Sequence, residues 1–305
     1  MTASSDIQEI AIVTGASTGI GAATARELAR LGFHVLAGVR RDRDADAIRA
    51  PGIEPLIIDV THPDHIQALA TRVHGDPQRR AVRALVNNAA IQVNVPVEAF
   101  AIDEWRRMFE VNLFGQIAVT QALLPALIRS KGRVVNISSV GGKIAMAAYG
   151  PYAGTKFALE AVSDSLRREL APLGVRVVVV EPGAVRTEML GRAMAIAHER
   201  ASTMTPEQSQ RYGGLMHAIA AQAESSARSS LPAEAAAKVI AKAVTALKPR
   251  TRYTVGRDAA LITCLARILP DRILDHLFAA GLRPYFPKES NRPQGEQSPR
   301  YAGPT

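Results

Sequence analysis

The stretch EIAIVTGASTGIG, Glu9 to Gly21, runs from a β-branched apolar segment straight into a glycine-rich loop. A helical pattern, GIGAATARELARLG, follows at once. A lone glycine loop is weak evidence, but one between the first strand and first helix of a βαβ pattern is much stronger. Without Cβ atoms at Gly15, Gly19 and Gly21, backbone N–H groups can reach a pyrophosphate, and the helix N-terminus adds favourable partial charge. The spacing is G-x-x-x-G-x-G rather than G-x-G-x-x-G.

Five more continuous apolar runs follow: FHVLAGV, IEPLIID, AVRALVNN, GRVVNIS and GVRVVVVEP. Such runs suit parallel strands covered on both faces. Segments with helical spacing lie between them, so the expected fold is α/β, a single Rossmann-type doubly wound parallel sheet with helices on both faces. One domain is expected over 1–284. Residues 188–231 carry no strand signal and are too long for a loop, which predicts a helical substrate lid over the carboxyl edge of the sheet. Residues 258–282 form an apolar helical segment broken by Pro270, too charged and interrupted to span a bilayer. Packing against the domain or a second subunit is expected there, with peripheral membrane contact as the alternative. The polar, proline-rich tail 285–305 is expected to be disordered.

Hydrophobic residues make up 47% of the 305 and charged residues 21%, an ordinary globular balance. The N-terminus has no basic region followed by an apolar stretch, so no secretory signal is expected. A single cysteine, Cys264, precludes an internal disulfide. A reducing, cytoplasmic compartment fits. The net charge of +9 is scattered over helical stretches without an arginine-rich arm or aromatic-basic motif. It reads as a basic surface that welcomes an anionic cofactor, not as a nucleic-acid site. His62 and His65 lack a third ligand, so no metal is expected.

TGASTGIG, NNAA at 87–90, Tyr152-Ala-Gly-Thr-Lys156 and Pro182-Gly183 together resemble the short-chain dehydrogenase/reductase family, in its order, over residues 10 to about 190. The later RYTVGRDAALITCLARILPDRILDHLF is similar to the branch containing retinol and hydroxysteroid dehydrogenases. The resemblance implies a dinucleotide-dependent oxidoreductase of alcohols and carbonyls. Its cofactor contacts would be Gly15, Ser17, Thr18, Gly19, Ile20 and Gly21, then Asp59 and Val60 near the adenine. Asn88, Ala89 and Ala90 would follow, with Tyr152, Lys156, Pro182, Gly183, Val185 and Thr187. Asn87 also matches a family position, and Ala90 stands where most members have Gly. Asp59 has a second reading as a helix N-cap, for which Thr61 competes. The acidic residue that binds the ribose in NAD-preferring members is replaced by Val39, followed by Arg40 and Arg41. Arg40 can pair with a 2′-phosphate, which favours NADP(H) over NAD(H).

Tyr152 and Lys156 are four apart on an expected helix and share a face. Tyr149 also lies a near-integral number of turns from Lys156, but Gly150-Pro151 marks the helix start and leaves Tyr149 outside. A free tyrosine has a pKa of about 10, and a neighbouring ammonium favours its phenolate. The resemblance makes Tyr152 the acid/base and gives Lys156 the nicotinamide ribose as well. Strand alternation alone leaves Ser138 and Ser139 open. The family's spacing selects Ser139, which would stabilise charge on the substrate oxygen. Asn112 matches the asparagine that holds a water in a proton relay, against a helix-interior asparagine bonding backbone. Lys143 reads as surface.

The expected activity is NADP(H)-dependent interconversion of an alcohol and its ketone or aldehyde. The pocket, between 144–149 and 188–231, suits a lipophilic steroid-, retinoid- or long-chain-like substrate. Arg186, Arg192 and Tyr212 carry an alternative, an NAD-dependent hydroxy-acid dehydrogenase. A non-catalytic redox sensor is the rival from another class, and the Ser139/Tyr152/Lys156 set argues against it. The resemblance implies a homodimer or homotetramer through helices near 103–130 and 152–173.

Overall fold

Successive residues of a strand face opposite sides, and a parallel sheet needs both sides covered. Strand β1 (Ile10–Val13) sends Ala11 and Val13 into one apolar cluster and Ile10 and Ile12 into the other, and all four are fully buried. The computed structural model, which describes residues 8–287, continues this pattern through β2 (His34–Val39), β3 (Ile53–Ile57), β4 (Val82–Asn87), β5 (Arg133–Ile137), β6 (Arg176–Pro182) and β7 (Arg252–Val255). The order is β3-β2-β1-β4-β5-β6-β7, with every neighbouring pair parallel. The expected α/β class is therefore observed. Strand order reverses between β1 and β4, which opens a crevice at their carboxyl ends. Pro55 lies in edge strand β3, where a missing N–H is tolerated.

Helices α1 (Gly19–Arg30), α2 (Asp42–Ile48) and α9 (Ala233–Thr245) cover one face, with Leu28 and Ile240 fully buried. On the other face α3 (Pro63–His74), α5 (Gly115–Ser130) and α6 (Gly150–Leu170) contribute Leu69, Leu123, Leu127 and Leu170 to the second cluster. Each such side chain contributes roughly 1.5–3 kcal/mol by leaving water. Helix α4 (Ile102–Phe109) passes through a π-helical turn, 110–114, into α5. The stretch 102–130 is long and apolar enough to cross a membrane. Here its Val119, Leu123 and Leu127 pack beneath the sheet as a core helix does. Helix α2 has no counterpart in the sequence reading, because DRDADAI is too short and polar to show a helical stripe.

The expected lid is two helices, α7 (Glu188–Ser202) and α8 (Pro206–Ser229), and Thr205 with Gln208 forms a capping box at the start of α8. Helices α10 (Arg257–Leu265) and α11 (Asp271–Leu282) flank the break at Pro270. The chain then packs Tyr285 and Phe286 against the apolar cluster that holds Met216 and Ile219 of α8. Of the tail expected from 285, residues 288–305 lie outside the described residues.

Candidate active site

The loop after β1 needs its glycines. Gly15 and Gly19 have φ of +66° and +57°, in the left-handed region that costs other residues about 1 kcal/mol or more. A Cβ on Gly15 would stand 2.8 Å from Ala89 Cα, and one on Gly21 would stand 2.5 Å from Asn88 Nδ2. The loop is thus packed backbone-to-backbone on the segment after β4. Asn88 Nδ2 donates to the carbonyls of Thr14 and Gly15, each at 3.0 Å. Thr14 Oγ1 accepts from the N–H of Asn88 and of Ala89. Thr14 was not singled out in the sequence; its position just before the loop is the one signal that could have marked it. Ser17, Thr18 and Ile20 are partly exposed at the mouth, and the Thr18 hydroxyl makes no capping bond to α1. Ala90 keeps a negative φ, so a methyl group in glycine's place is accommodated.

The carboxyl ends of β2 and β3 meet beside this loop. Arg40 and Arg41 are exposed there, and the Arg40 charge reaches Asp59. Burial raises the Asp59 pKa, but hydrogen bonds from Thr61 N and Oγ1 and the charges of Arg40 and His62 outweigh it and hold it low. Asp59 is not the N-cap of α3: His62 occupies that position. Val60 is buried with its carbonyl and side chain against Gly115. His65 Nδ1 accepts from Asp59 N at 3.1 Å. Among the described residues no three His, Cys, Asp or Glu side chains converge to hold a metal.

Across the crevice, β6 ends at Pro182, and Gly183 N donates to Val255 O. Val185 is buried and bridges to Leu231. Thr187 caps α7, accepting from Leu190 N, and its methyl group abuts Gly19. The loops after β1, β4 and β6 therefore pack on one another so closely that a Cβ at Gly15 or Gly19 would meet Ala89 or Thr187. The donors here suit a dinucleotide: glycine N–H groups for phosphates, with Arg40 and Asp59 close by at the ends of β2 and β3.

Helix α6 begins at Gly150 with Pro151 in its first turn, so Tyr149 is the residue outside it and Tyr152 lies within. Tyr152 is 5% exposed, and Lys156 Nζ sits 5.8 Å from its ring centroid. Lys156 donates to the Ile137 carbonyl at 2.8 Å. Burial brings its pKa down to about 8, while the Glu160 charge pulls it up. Burial pushes the Tyr152 phenol up to about 12, and a hydrogen bond with Ser139 opposes that. Ser139 starts a turn whose Gly141 N–H donates to its Oγ at 3.0 Å. A Cβ on Gly141 would lie 3.4 Å from Tyr152 Cε1 and 3.5 Å from Ser139 Oγ, so serine and tyrosine flank this glycine. Ser138 Oγ is buried against Gly142 instead. Tertiary structure thus places Ser139 beside the tyrosine, where alternation alone left the two serines equal.

Asn112 is fully buried in the π-helical turn. Its Oδ1 accepts from Ile91 N at 2.8 Å, and its Nδ2 donates to Ile91 O and to Thr155 Oγ1. Its side chain clamps the segment after β4 to α6. Asn87 is buried as well, but faces the core, donating to Thr120 Oγ1 and Asn136 Oδ1. Lys143 is no surface lysine: its Nζ meets Glu160 Oε2 at 2.7 Å and its side chain is 24% exposed.

Apolar side chains pack around Tyr152. Tyr152 and Tyr149 pack with Val93, Val95 and Phe100, and Met204, between α7 and α8, reaches both this group and Ala148. Ala148 holds φ at +61° just ahead of Tyr149. Tyr149 hydrogen-bonds Asn94, which accepts from Gln92 Nε2 at 3.0 Å. Ion pairs Arg200–Glu104 and Arg211–Glu98 tie α7 and α8 to α4 and to the turn before it, with Tyr212 Oη donating to Glu98 at 2.8 Å. Arg192 pairs with Glu188, and Arg186 donates to Ser230 O. The three residues proposed for a substrate carboxylate each have a different partner.

The family model for short chain dehydrogenases matches residues 9–196. The chain is 33% identical over 281 residues to an NADPH-dependent 3-dehydrocapnine reductase of Ornithobacterium rhinotracheale, covering 90% of this chain and 97% of that protein. It is 36% identical over 272 residues to retinol dehydrogenase 5 of Mus musculus, covering 86% and 85%. Among solved structures, a short-chain dehydrogenase from Streptomyces avermitilis superposes with a TM-score of 0.71 at 29% identity, over 90% of this chain and 96% of that one.

Proposed function

The chain belongs to the short-chain dehydrogenase family and is an oxidoreductase acting on CH–OH groups; from that premise we propose that it interconverts a lipophilic alcohol and its carbonyl with NADP(H). The observation that carries the reading is the Ser139–Tyr152–Lys156 set, with Tyr152 and Lys156 buried and the partly exposed Ser139 hydrogen-bonded to the tyrosine. When bound, the nicotinamide supplies or takes the hydride, and its oxidised form adds a positive charge that favours the phenolate.

The chain's own groups handle the proton and the charge. Tyr152, held protonated by burial, donates its phenolic proton to the oxygen of a carbonyl as that oxygen gains charge. Ser139 adds a hydrogen bond to the same oxygen. Lys156, as ammonium, favours the tyrosinate left behind. Asn112 fixes the distance between α6 and the segment after β4. Arg40, exposed at the end of β2 with no carboxylate in the preceding position, supports the choice of NADP(H), as does the likeness to an NADPH-dependent reductase. Val93, Val95, Tyr149 and Met204 support a lipophilic substrate, and the two relatives named act on retinol and on 3-dehydrocapnine by their names.

The reading includes a homodimer or homotetramer through α4–α5 and α6, where Ile102, Phe114 and Phe157 are 63%, 50% and 44% exposed. It keeps the cytoplasmic location expected from the sequence. The test is a panel of long-chain, steroid and retinoid ketones and aldehydes followed by NADPH absorbance. Turnover of an apolar carbonyl with NADPH is expected; turnover confined to hydroxy acids with NAD would overturn the proposal.

A further inference from the structure

Glu160 stands one helical turn beyond Lys156 on α6, and its side chain is 6% exposed. Three other elements converge on it. From the turn after β5, Lys143 Nζ approaches Oε2 at 2.7 Å; from β7, Arg252 Nη2 and Nε approach the same oxygen at 3.0 and 3.1 Å. Glu181 of β6 shares both cations, at 3.6 Å from Lys143 and 3.4 Å from Arg252. Asp164 of α6 takes Arg252 at 2.9 Å and Arg167 at 3.2 Å. Gly142 makes room for this arrangement: a Cβ there would lie 3.1 Å from both Glu160 Cγ and the Lys156 carbonyl oxygen.

Lys156 has the opposite surroundings. It is 1% exposed, its Nζ donates to one neutral carbonyl, and its neighbour Tyr152 is uncharged when protonated. A buried ammonium without a nearby anion reverts to the amine. We propose that Glu160 is a positioning residue for the reaction, its buried carboxylate holding Lys156 in the charged form that Tyr152 requires. Lys143 and Arg252 fix the carboxylate in place. The dependence of Lys156 on the Glu160 charge agrees with this geometry.

The inference rests on Lys156 as the working lysine, so its test does not need turnover. In protein carrying lysine labelled at the ε-carbon, the NMR titration of Lys156 is assigned by its loss in Lys156→Arg. Glu160→Gln is expected to lower the midpoint by about one pH unit and Glu160→Asp to leave it near the parent value. A midpoint unmoved or raised by Glu160→Gln overturns the proposal. Should Glu160→Gln not fold, Lys143→Gln is compared with the Lys143→Gln/Glu160→Gln double variant: a lower midpoint in the double variant supports the proposal, and an equal or higher one refutes it. With a carbonyl substrate in hand, the alkaline limb of NADPH-dependent reduction moves down with the midpoint. Failure of every carbonyl to turn over would refute the proposed activity and leave the lysine titration readable.

Discussion

A Cβ atom on Gly19 would stand 3.0 Å from Cγ2 of Thr187. The first loop of the chain and the loop after β6 are separated by about half the sequence, yet they close on each other over the switch point. Gly19→Ala adds a left-handed strain of roughly 1–2 kcal/mol and crowds Thr187. The expected result is NADPH binding at least about 10-fold weaker with the fold retained, read by cofactor fluorescence titration beside circular dichroism.

Tyr152→Phe removes the phenolic proton and keeps the ring that packs with Phe100 and Met108. Reduction is expected to fall by about 10²–10⁴-fold, while cofactor affinity stays within about threefold. An equal loss of binding and turnover would assign the tyrosine a structural role instead. In the cofactor-free protein, ultraviolet titration is expected to show one tyrosine ionising near 12 that Tyr152→Phe deletes.

Arg40 is exposed, so its replacement threatens little packing. Arg40→Ala is expected to lower kcat/KM with NADPH by about 10–100-fold and to change that with NADH less than threefold. An equal fall with both cofactors would remove Arg40 from phosphate recognition.

The proposed lid is tied down at the surface by ion pairs. Glu98 and Arg211 are 41% and 53% exposed, so their pair is worth at most about 1 kcal/mol. Glu98→Gln also weakens the Tyr212 bond and is expected to raise KM about two- to fivefold with kcat held or raised. High salt should produce the same change in the parent protein and little in the variant.

Asp76 is buried between Arg80 and Arg72, at 2.5 and 3.0 Å. The Arg80 hydrogen bonds hold its carboxyl well below the usual carboxylate range. A depressed folded pKa gives stability that is present above the unfolded value, about 3.9, and is lost as pH falls through the folded one. Asp76→Asn, which leaves buried Arg80 without its counter-charge, is expected to cost about 3 kcal/mol at pH 7. Urea unfolding should show this gap narrowing below about pH 4.

Much of the site was legible because its signals are local. The glycine loop, the four-residue step from Tyr152 to Lys156 and the proline that excludes Tyr149 each depend on a few neighbouring residues. Arg40 was legible as a missing carboxylate. Lys143 was misread because its partners, Glu160 and Glu181, lie 17 and 38 residues away on other elements. Asn94 escaped notice for a similar reason, since its bond to Tyr149 joins two irregular segments that carry no periodic pattern.

By itself, then, the amino-acid sequence determined the alternation of strand and helix, the parallel sheet, and the pairing of tyrosine with lysine. Backbone conformation and helical spacing are short-range, and they leave a mark within a few residues. Only the tertiary structure set Ser139 against the Tyr152 ring, brought Thr187 to Gly19, and placed Glu160 between two cations one helical turn from Lys156. Those choices depend on which buried groups come within a few ångströms across elements, and burial strengthens every charge interaction made there.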